Sequence, residues 1–400
     1  MSEYDLFSAT FKADPFPTFA ALRCDAPVYA HRTPSGQTIW YVSRYEDGVA
    51  VLRDHDLFIK DMHALRERPS ADSPHELHAA INRNMLFADP PDHTRLRALV
   101  SLAFTPRRIE ALQGRVQEIA DALIDAVVAR GKCDLMAAFA LPLPVQVIGE
   151  LLGIPSADRE RVAAWSQVII SPVARRLSKR ERRRTLQAFV AWLHTLFADR
   201  RAAPRDDLIS ALVQAEQAGD RLTEAQLSSM VALLLVTGHE TTVHLIGNGM
   251  LALLTHPQQR ALLQAQPALI DQAIEELLRF DGPVESSTTR WVARDEFWNG
   301  AAMRRGDVVR VLLTSADRDP ARFPDPDRLD LTRSDSRHLQ FGLGIHYCLG
   351  APLARLEART AFLTLLRRLP DLQLAVPAAD LQWRPGVLFR GLVTLPVVWK

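Results

Sequence analysis

The chain has only three cysteines in 400 residues, Cys24, Cys133 and Cys348, too few and too widely spaced for a disulfide framework. That scarcity fits a reducing compartment. Net charge is also nearly absent. Forty-eight Lys and Arg against 47 Asp and Glu leave +1, which removes any global electrostatic case for nucleic acid or an anionic membrane; a charged partner has to be met by a local patch. No uninterrupted apolar run reaches the roughly 18 residues of a membrane span. The most apolar helical stretch, around Val231 to Val236, soon meets His239, Glu240 and His244. The start, Met1-Ser2-Glu3-Tyr4-Asp5, lacks the cationic and apolar blocks of a secretory signal, so a cytoplasmic protein is expected. Gly/Ser linkers, low-complexity blocks and solenoid-length repeats are missing too. Length alone allows two or three domains of about 100 to 200 residues, but the scattered prolines and glycines favour one compact unit.

With 48% hydrophobic and 24% charged residues, the chain can bury a large core, which excludes disorder as a whole-chain description. Val28-Tyr29-Ala30 and Ile39-Trp40-Tyr41-Val42, separated by Thr33-Pro34-Ser35-Gly36, predict two strands and a turn; further strands are expected at 307–313, 372–376 and 392–398. Apolar spacings of three and four predict helices over 108–128, 179–199, 258–280 and 351–369. The fold class is therefore mainly α with small β-sheets. Thr223 followed by Gln226 is a capping-box pattern that opens the longest helix, running to His256 before Pro257. Its length of about 50 Å spans a domain. A helix this long and apolar is a central strut, so polar groups in its middle need a reason.

The strongest local pattern is Phe341-Gly342-Leu343-Gly344-Ile345-His346-Tyr347-Cys348-Leu349-Gly350, glycine-rich and leading into a helix near Ala351. A cysteine at a helix N-terminus is either an inert small residue or a thiolate favoured by free N–H groups and the dipole. The glycines permit tight turns and close approach to something flat or bulky.

As a whole this string resembles the heme-binding signature of the cytochrome P-450 family, Phe-Gly-x-Gly-x-His-x-Cys-x-Gly, with every specified position present. The resemblance extends from about residue 14 to the C-terminus and is to the soluble bacterial members. It implies a single helix-rich domain over residues 1–400 with no fused reductase. Heme b would lie between the long central helix and the Cys-loop helix. Cys348 would be the iron ligand, with Phe341, Gly342 and His346 also at the cofactor.

Four further segments fit the same family. Asp89-Pro90-Pro91-Asp92-His93-Thr94-Arg95-Leu96-Arg97 places His93 and Arg97 on one helix face, where two donors can reach an anion, by resemblance a heme propionate. Thr237-Gly238-His239-Glu240-Thr241-Thr242 resembles the distal oxygen-binding segment, which makes Glu240 and Thr241 the proton-delivering acid and alcohol. Gly238 removes bulk there, and a Thr241 hydroxyl can bond back to the Thr237 carbonyl and open the helix. Thr237 departs from the family's usual small apolar residue. Glu276-x-x-Arg279 would form a structural ion network with Arg328, and Arg290 would join His346 at the second propionate.

The resemblance implies a monooxygenase that puts one atom of O2 into a hydrophobic organic substrate of small to medium size, by hydroxylation or epoxidation. Electrons would come from a separate ferredoxin and its NAD(P)H-dependent reductase; Arg107, Arg108, Arg337 and Arg355 are candidates for the basic docking face. By family position the pocket is lined by Met85, Leu86, Leu234, Thr237, Gly238, Val284, Ser287, Leu388 and Phe389. The segment 175–184 carries seven cations in ten residues, either a solvated helix face or an attractor for an acidic substrate or carrier protein. A monomer without membrane or nucleic-acid partners is expected. The alternatives are a peroxide-driven peroxygenase on the same fold, a non-catalytic heme sensor, and a zinc site using His346 and Cys348, whose missing paired cysteines speak against it.

Overall fold

The computed structural model describes residues 4–65, 81–170, 177–217 and 219–400. They divide into two units by internal contact. One takes residues from 81–115 and 144–240, the other from 4–65, 116–143 and 241–400.

The first unit is helical. It contains α1 (Asp92–Ala103), α2 (Pro142–Leu152), most of which lies in this unit, α3 (Arg159–Ile170), α4 (Lys179–Ala202) and α5 (Leu208–Gln214), with a short ribbon pairing Glu216–Gln217 with Asp220–Arg221. Helix α4 starts at Ser178, whose hydroxyl accepts the Glu181 N–H while Glu181 accepts the Ser178 N–H, a complete capping box. Its apolar side, with Phe189, Leu193, Leu196 and Phe197 all buried, packs within the unit. Trp165 of α3 meets Phe189 and Trp192 there at ring separations of 5.7 Å each.

Helix α6 (Glu224–Thr255) runs through both sets of residues. Its start is as the sequence predicts: Thr223 N–H donates to Gln226 Oε1 at 3.0 Å and Gln226 N–H to Thr223 Oγ1 at 3.2 Å. It ends one residue short of His256 and is unbroken helix through Thr237 to Thr242. By length and composition it is the one described helix that could cross a membrane. However, 67% of its most apolar window is buried inside the protein, as in the core helix of a folded domain.

The second unit holds α7 (Ile270–Asp281), α8 (Ala351–Arg368) and the larger sheets. Strands β1 (Val28–Arg32), β2 (Thr38–Val42), β3 (Phe58–Ile59), β5 (Arg290–Val292) and β6 (Val308–Val311) form a five-stranded sheet. Its order is β1-β2-β6-β5-β3, with β2 and β6 parallel. A smaller sheet joins β4 (Lys132–Asp134) with β7 (Gln373–Leu374) and β8 (Pro396–Val398). The predicted hairpin is present with Tyr29 opposite Tyr41. Val42, Val51, Phe58, Val292, Val309 and Val311 fill the core beneath the sheet.

Two predicted helices are broken. The span 258–280 becomes Pro257–Ala265, a 3-10 turn at Pro267–Leu269, and α7, because Pro267 has no N–H to continue the ladder. The span 108–128 divides at Leu112, whose N–H bonds to Ile109, into Pro106–Ala111 and Gln113–Asp125.

Candidate functional site

The Cys loop lies just before α8 and is folded by its own backbone. Cys348 N–H donates to Phe341 O at 2.8 Å, Tyr347 N–H to Gly344 O at 3.1 Å, and Gly342 N–H to Leu339 O at 2.8 Å. Gly342 and Gly344 have φ of +67° and +69°, where a side chain is disfavoured. At Gly344 a Cβ would also come within 3.0 Å of Leu52 O. Cys348 stands two residues before Gly350, the N-cap of α8, so the positive end of an 18-residue helix faces its sulfur region. Arg290, 2% exposed on β5, donates to that same Leu52 carbonyl at 3.3 Å and to Phe58 O at 3.2 Å. The Leu52 carbonyl that accepts from Arg290 thus lies close to Gly344 of the Cys loop, which also carries half-buried His346.

Behind the loop, Arg355 of α8 lies 4.4 Å from the Phe341 ring centroid and makes two 2.7 Å bonds to Glu275 of α7. Burial alone would push the Glu275 carboxyl up, but hydrogen bonds from Arg355 and His338 outweigh it and hold it down to about 2. Arg355 is thus committed to positioning Phe341, and its charge is neutralised. Arg108 bonds to Asp207 O at 2.8 Å and Arg337 pairs with Asp335, whereas Arg107 is exposed.

Glu276 and Arg279 are fully buried and bidentate, at 2.7 and 2.9 Å. The expected third member is corrected. Arg328 offers only its carbonyl, to Arg279 at 3.2 Å; its side chain is 66% exposed and reaches Asp330 instead. Arg333 occupies the role, 12% exposed, with Nε 3.2 Å from Glu276 and further bonds to Pro324 O and Asp325 O. The turn around Asp325, at φ +48°, sends Arg328 outward and brings the chain back five residues later.

Among the pocket residues, Val284 and Phe389 form a bridge, Glu285 N–H donates to Leu388 O at 3.0 Å, and Arg390 N–H to Pro283 O at 2.9 Å. This pairing gathers Val284, Leu388 and Phe389, and the ring of His244 on α6 lies 6.3 Å from Phe389. Ser287 differs from its expected role. Its hydroxyl accepts the Val311 N–H at 3.0 Å and holds the end of β6. Beneath this wall is a buried ion cluster the sequence reading missed: Lys12 with Glu285 at 2.5 Å, and Arg390 with Asp281 at 2.5 Å and with Lys12 O at 2.7 Å. No local pattern announces it, since Lys12 and Glu285 are 273 residues apart.

In the other unit, His93 on α1 is 2% exposed and Arg97 one turn on is half-buried, as their spacing requires. Asn84 accepts the Leu86 N–H and donates to Ser229 on α6, both at 3.1 Å, which fastens the Met85-Leu86 turn to that helix. Met85 and Leu234 are buried, and Thr237 is exposed with its hydroxyl on Leu233 O at 2.8 Å. A Cβ at Gly238 would meet Ile148 of α2 at 2.9 Å, so this glycine serves the close approach of two helices. His239 turns inward, its Nδ1–H on Leu235 O at 2.6 Å; burial holds its pKa down, and it is neutral. Glu240 and Thr241, the next two residues of α6, are half-buried. In the basic segment, Arg175 and Arg176 lie outside the described residues.

The donor set fits heme. A thiol at a helix N-terminus suits a soft metal, while Arg290 and His346 in the same unit are cationic or donor groups suited to a carboxylate. Among the described residues no group of three or more His, Cys, Asp and Glu comes together to hold a metal.

Comparison with known proteins agrees. Residues 135–372 match the sequence family described as Cytochrome P450. Over 393 residues the chain is 47% identical to the cytochrome P450 monooxygenase PikC of Streptomyces venezuelae, covering 98% of this chain and 92% of that protein. It superposes on the myxobacterial cytochrome P450 CYP267B1, solved with myristic acid, with a TM-score of 0.90, 45% identity and full coverage of both chains. P450BioI, solved in complex with an acyl carrier protein ligated to hexadec-9Z-enoic acid, gives a TM-score of 0.87 at 38% identity, covering 98% of this chain and 99% of that one.

Proposed function

The chain belongs to the cytochrome P450 family, and from that premise we propose that it is a heme-thiolate monooxygenase, one catalytic domain over its 400 residues, that hydroxylates or epoxidises a hydrophobic organic substrate. The observation that carries this reading is the loop that sets Cys348 at the start of α8, with Gly344 of the loop packed close to the Leu52 carbonyl that Arg290 donates to. Heme b bound there would supply the oxygen-activating iron, with the thiolate donating electron density that favours O–O cleavage.

The chain's own residues do the rest. Cys348 ligates; Arg290 and His346 hold one propionate, and His93 and Arg97 the other, through charge-assisted bonds. Met85, Leu86, Leu234, Val284, Leu388 and Phe389 exclude water and orient the substrate. Glu240 and Thr241 deliver protons from α6 at the half-buried stretch of an otherwise apolar helix. Electrons come from a separate ferredoxin and its NAD(P)H-dependent reductase. Fatty chains bound by CYP267B1 and P450BioI support an aliphatic substrate here, free or tethered to a carrier.

Reduced protein exposed to carbon monoxide gives the red-shifted Soret band of thiolate heme, and Cys348→His loses it. A variant that kept the band would remove Cys348 as ligand. Turnover by peroxide alone, faster than with ferredoxin, reductase and NAD(P)H, would make the enzyme a peroxygenase instead.

A further inference from the structure

The segment 387–391 carries half-buried Leu388 and Phe389 and joins its neighbours through no regular strand, only an isolated bridge from Phe389 to Val284. Four consecutive carbonyls in it are each held by a different residue. Val387 O accepts from Ser286 Oγ at 2.6 Å, Leu388 O from the Glu285 N–H at 3.0 Å, and Arg390 O from the Asn248 side chain of α6 at 3.0 Å. Phe389 O accepts from Lys12, 377 residues away, whose Nζ donates to it at 3.3 Å and to Glu285 at 2.5 Å. The hold is returned. Arg390 Nη1 donates to Lys12 O at 2.7 Å, while its Nε is on Asp281 at 2.5 Å and its guanidinium lies 3.7 Å from the Trp383 ring centroid. Residue 12 and residues 389 and 390 thus clasp each other's backbone.

Stability does not account for the clasp. Lys12, Glu285 and Arg390 are each 2% exposed or less, and well-packed apolar side chains of similar volume often serve stability as well as a buried ion pair or better. What apolar packing lacks is direction, because it cannot aim a donor at one carbonyl.

The oriented residue lies beside the middle of α6. The Phe389 ring is 6.3 Å from that of His244, and His244 follows Thr241 by three residues, about 4.5 Å along the helix. Gly391 lets the chain pass there, since a Cβ on it would overlap the His244 ring. With its carbonyl and its neighbours on both sides fixed, Phe389 presents its half-buried ring at one height along α6, next to the turn that carries Thr241.

We propose that Lys12 is a positioning residue for the substrate: by fixing Phe389 beside the Thr241 turn, it selects which carbon along a hydrophobic chain is oxygenated. The proposal rests on the reading of the protein as a monooxygenase with Val284, Leu388 and Phe389 at its substrate, and adds a determinant from an N-terminal helix whose own side chain is buried in the protein.

The test uses full-length holoenzyme with myristic acid as the probe, in the parent, K12M/E285Q, F389A and the triple variant K12M/E285Q/F389A. Two quantities are read: amide hydrogen exchange of 387–391, and the positions hydroxylated in turnover with ferredoxin, its reductase and NAD(P)H. In K12M/E285Q the segment exchanges about tenfold or more faster while the thermal midpoint stays close to the parent's, a local opening. The ratio of the main hydroxylated position to the next falls about fivefold or more. F389A changes the ratio as well, and the triple variant matches F389A, because Lys12 acts through that ring alone. Should K12M/E285Q fold poorly, Glu285→Asp keeps both charges, draws Lys12 back from the Phe389 carbonyl, and changes both quantities in the same direction. Exchange or product positions identical to the parent's would overturn the proposal. So would a change in the triple variant that adds in full to that of F389A. A parent that binds myristic acid and forms no hydroxylated product falls instead on the monooxygenase reading, because exchange is measured without turnover.

Discussion

Lys12 Nζ lies 2.5 Å from a carboxylate oxygen of Glu285, and both side chains are almost wholly buried. Glu285 is the residue between Val284 and Ser286 in the segment paired to Leu388 and Phe389, so an N-terminal helix and that paired segment are held by one ion pair. Burial pushes Lys12 down and Glu285 up, each toward its neutral form, and their mutual attraction opposes both shifts. Lys12→Met strands the acid and should cost about 3–5 kcal/mol, whereas Lys12→Met with Glu285→Gln should recover most of it. Urea denaturation of the two variants checks this; equal losses would show that the pair does not act as a unit.

The two arginines of the loop separate cleanly. Arg333→Ala removes a cation from Glu276 and should cost about 3 kcal/mol or more, with heme content falling in step. Arg328→Ala, at an exposed side chain, should stay within about 0.5 kcal/mol. Denaturation midpoints and heme-to-protein ratios measured together decide it, and a reversed order would restore Arg328 to the network.

Thr241→Ala should keep heme and substrate binding while diverting electrons from product to hydrogen peroxide. The ratio of NAD(P)H consumed to product formed measures this directly. Unchanged coupling would remove the alcohol from proton delivery.

Glu357, in the middle of α8, is fully buried, with neither oxygen hydrogen-bonded among the described residues. Burial holds its carboxyl well above the usual range. The unfolded chain ionises this group near pH 4.3 while the folded protein keeps it protonated. Its contribution to stability is therefore full below that pH and shrinks as pH rises toward the folded pKa, by at most about 1.4 kcal/mol per unit. Glu357→Gln should match the parent near pH 4.5 and gain on it steadily toward pH 8 in thermal melts. A difference that does not change with pH would mean that Glu357 is ionised in the fold.

The legible parts of the protein are those whose physics is local. A glycine-rich loop with a cysteine before a helix, a His and Arg one turn apart, and a polar break in an apolar helix each declare themselves within about ten residues. The capping box at Thr223 and the β1–β2 hairpin formed where their patterns predict them. What failed did so at turns. Pro267 ended a helix that the apolar period ran through, and the φ +48° turn at Asp325 moved the third cation from Arg328 to Arg333.

The sequence by itself determined the family chemistry, because ligand, loop glycines and helix start are neighbours in the chain and hydrophobic period fixes which elements form. Only the tertiary structure decided which charges are used up and which are left. Arg355 was expected on a docking surface and is bound to Glu275, Ser287 was expected at the substrate and holds β6, and Lys12 meets an acid 273 residues away. Arg180, Arg183 and Arg184 stand in solvent. Burial and pairing between distant segments depend on where the chain returns, and a buried charge is tolerated only where that return brings its partner.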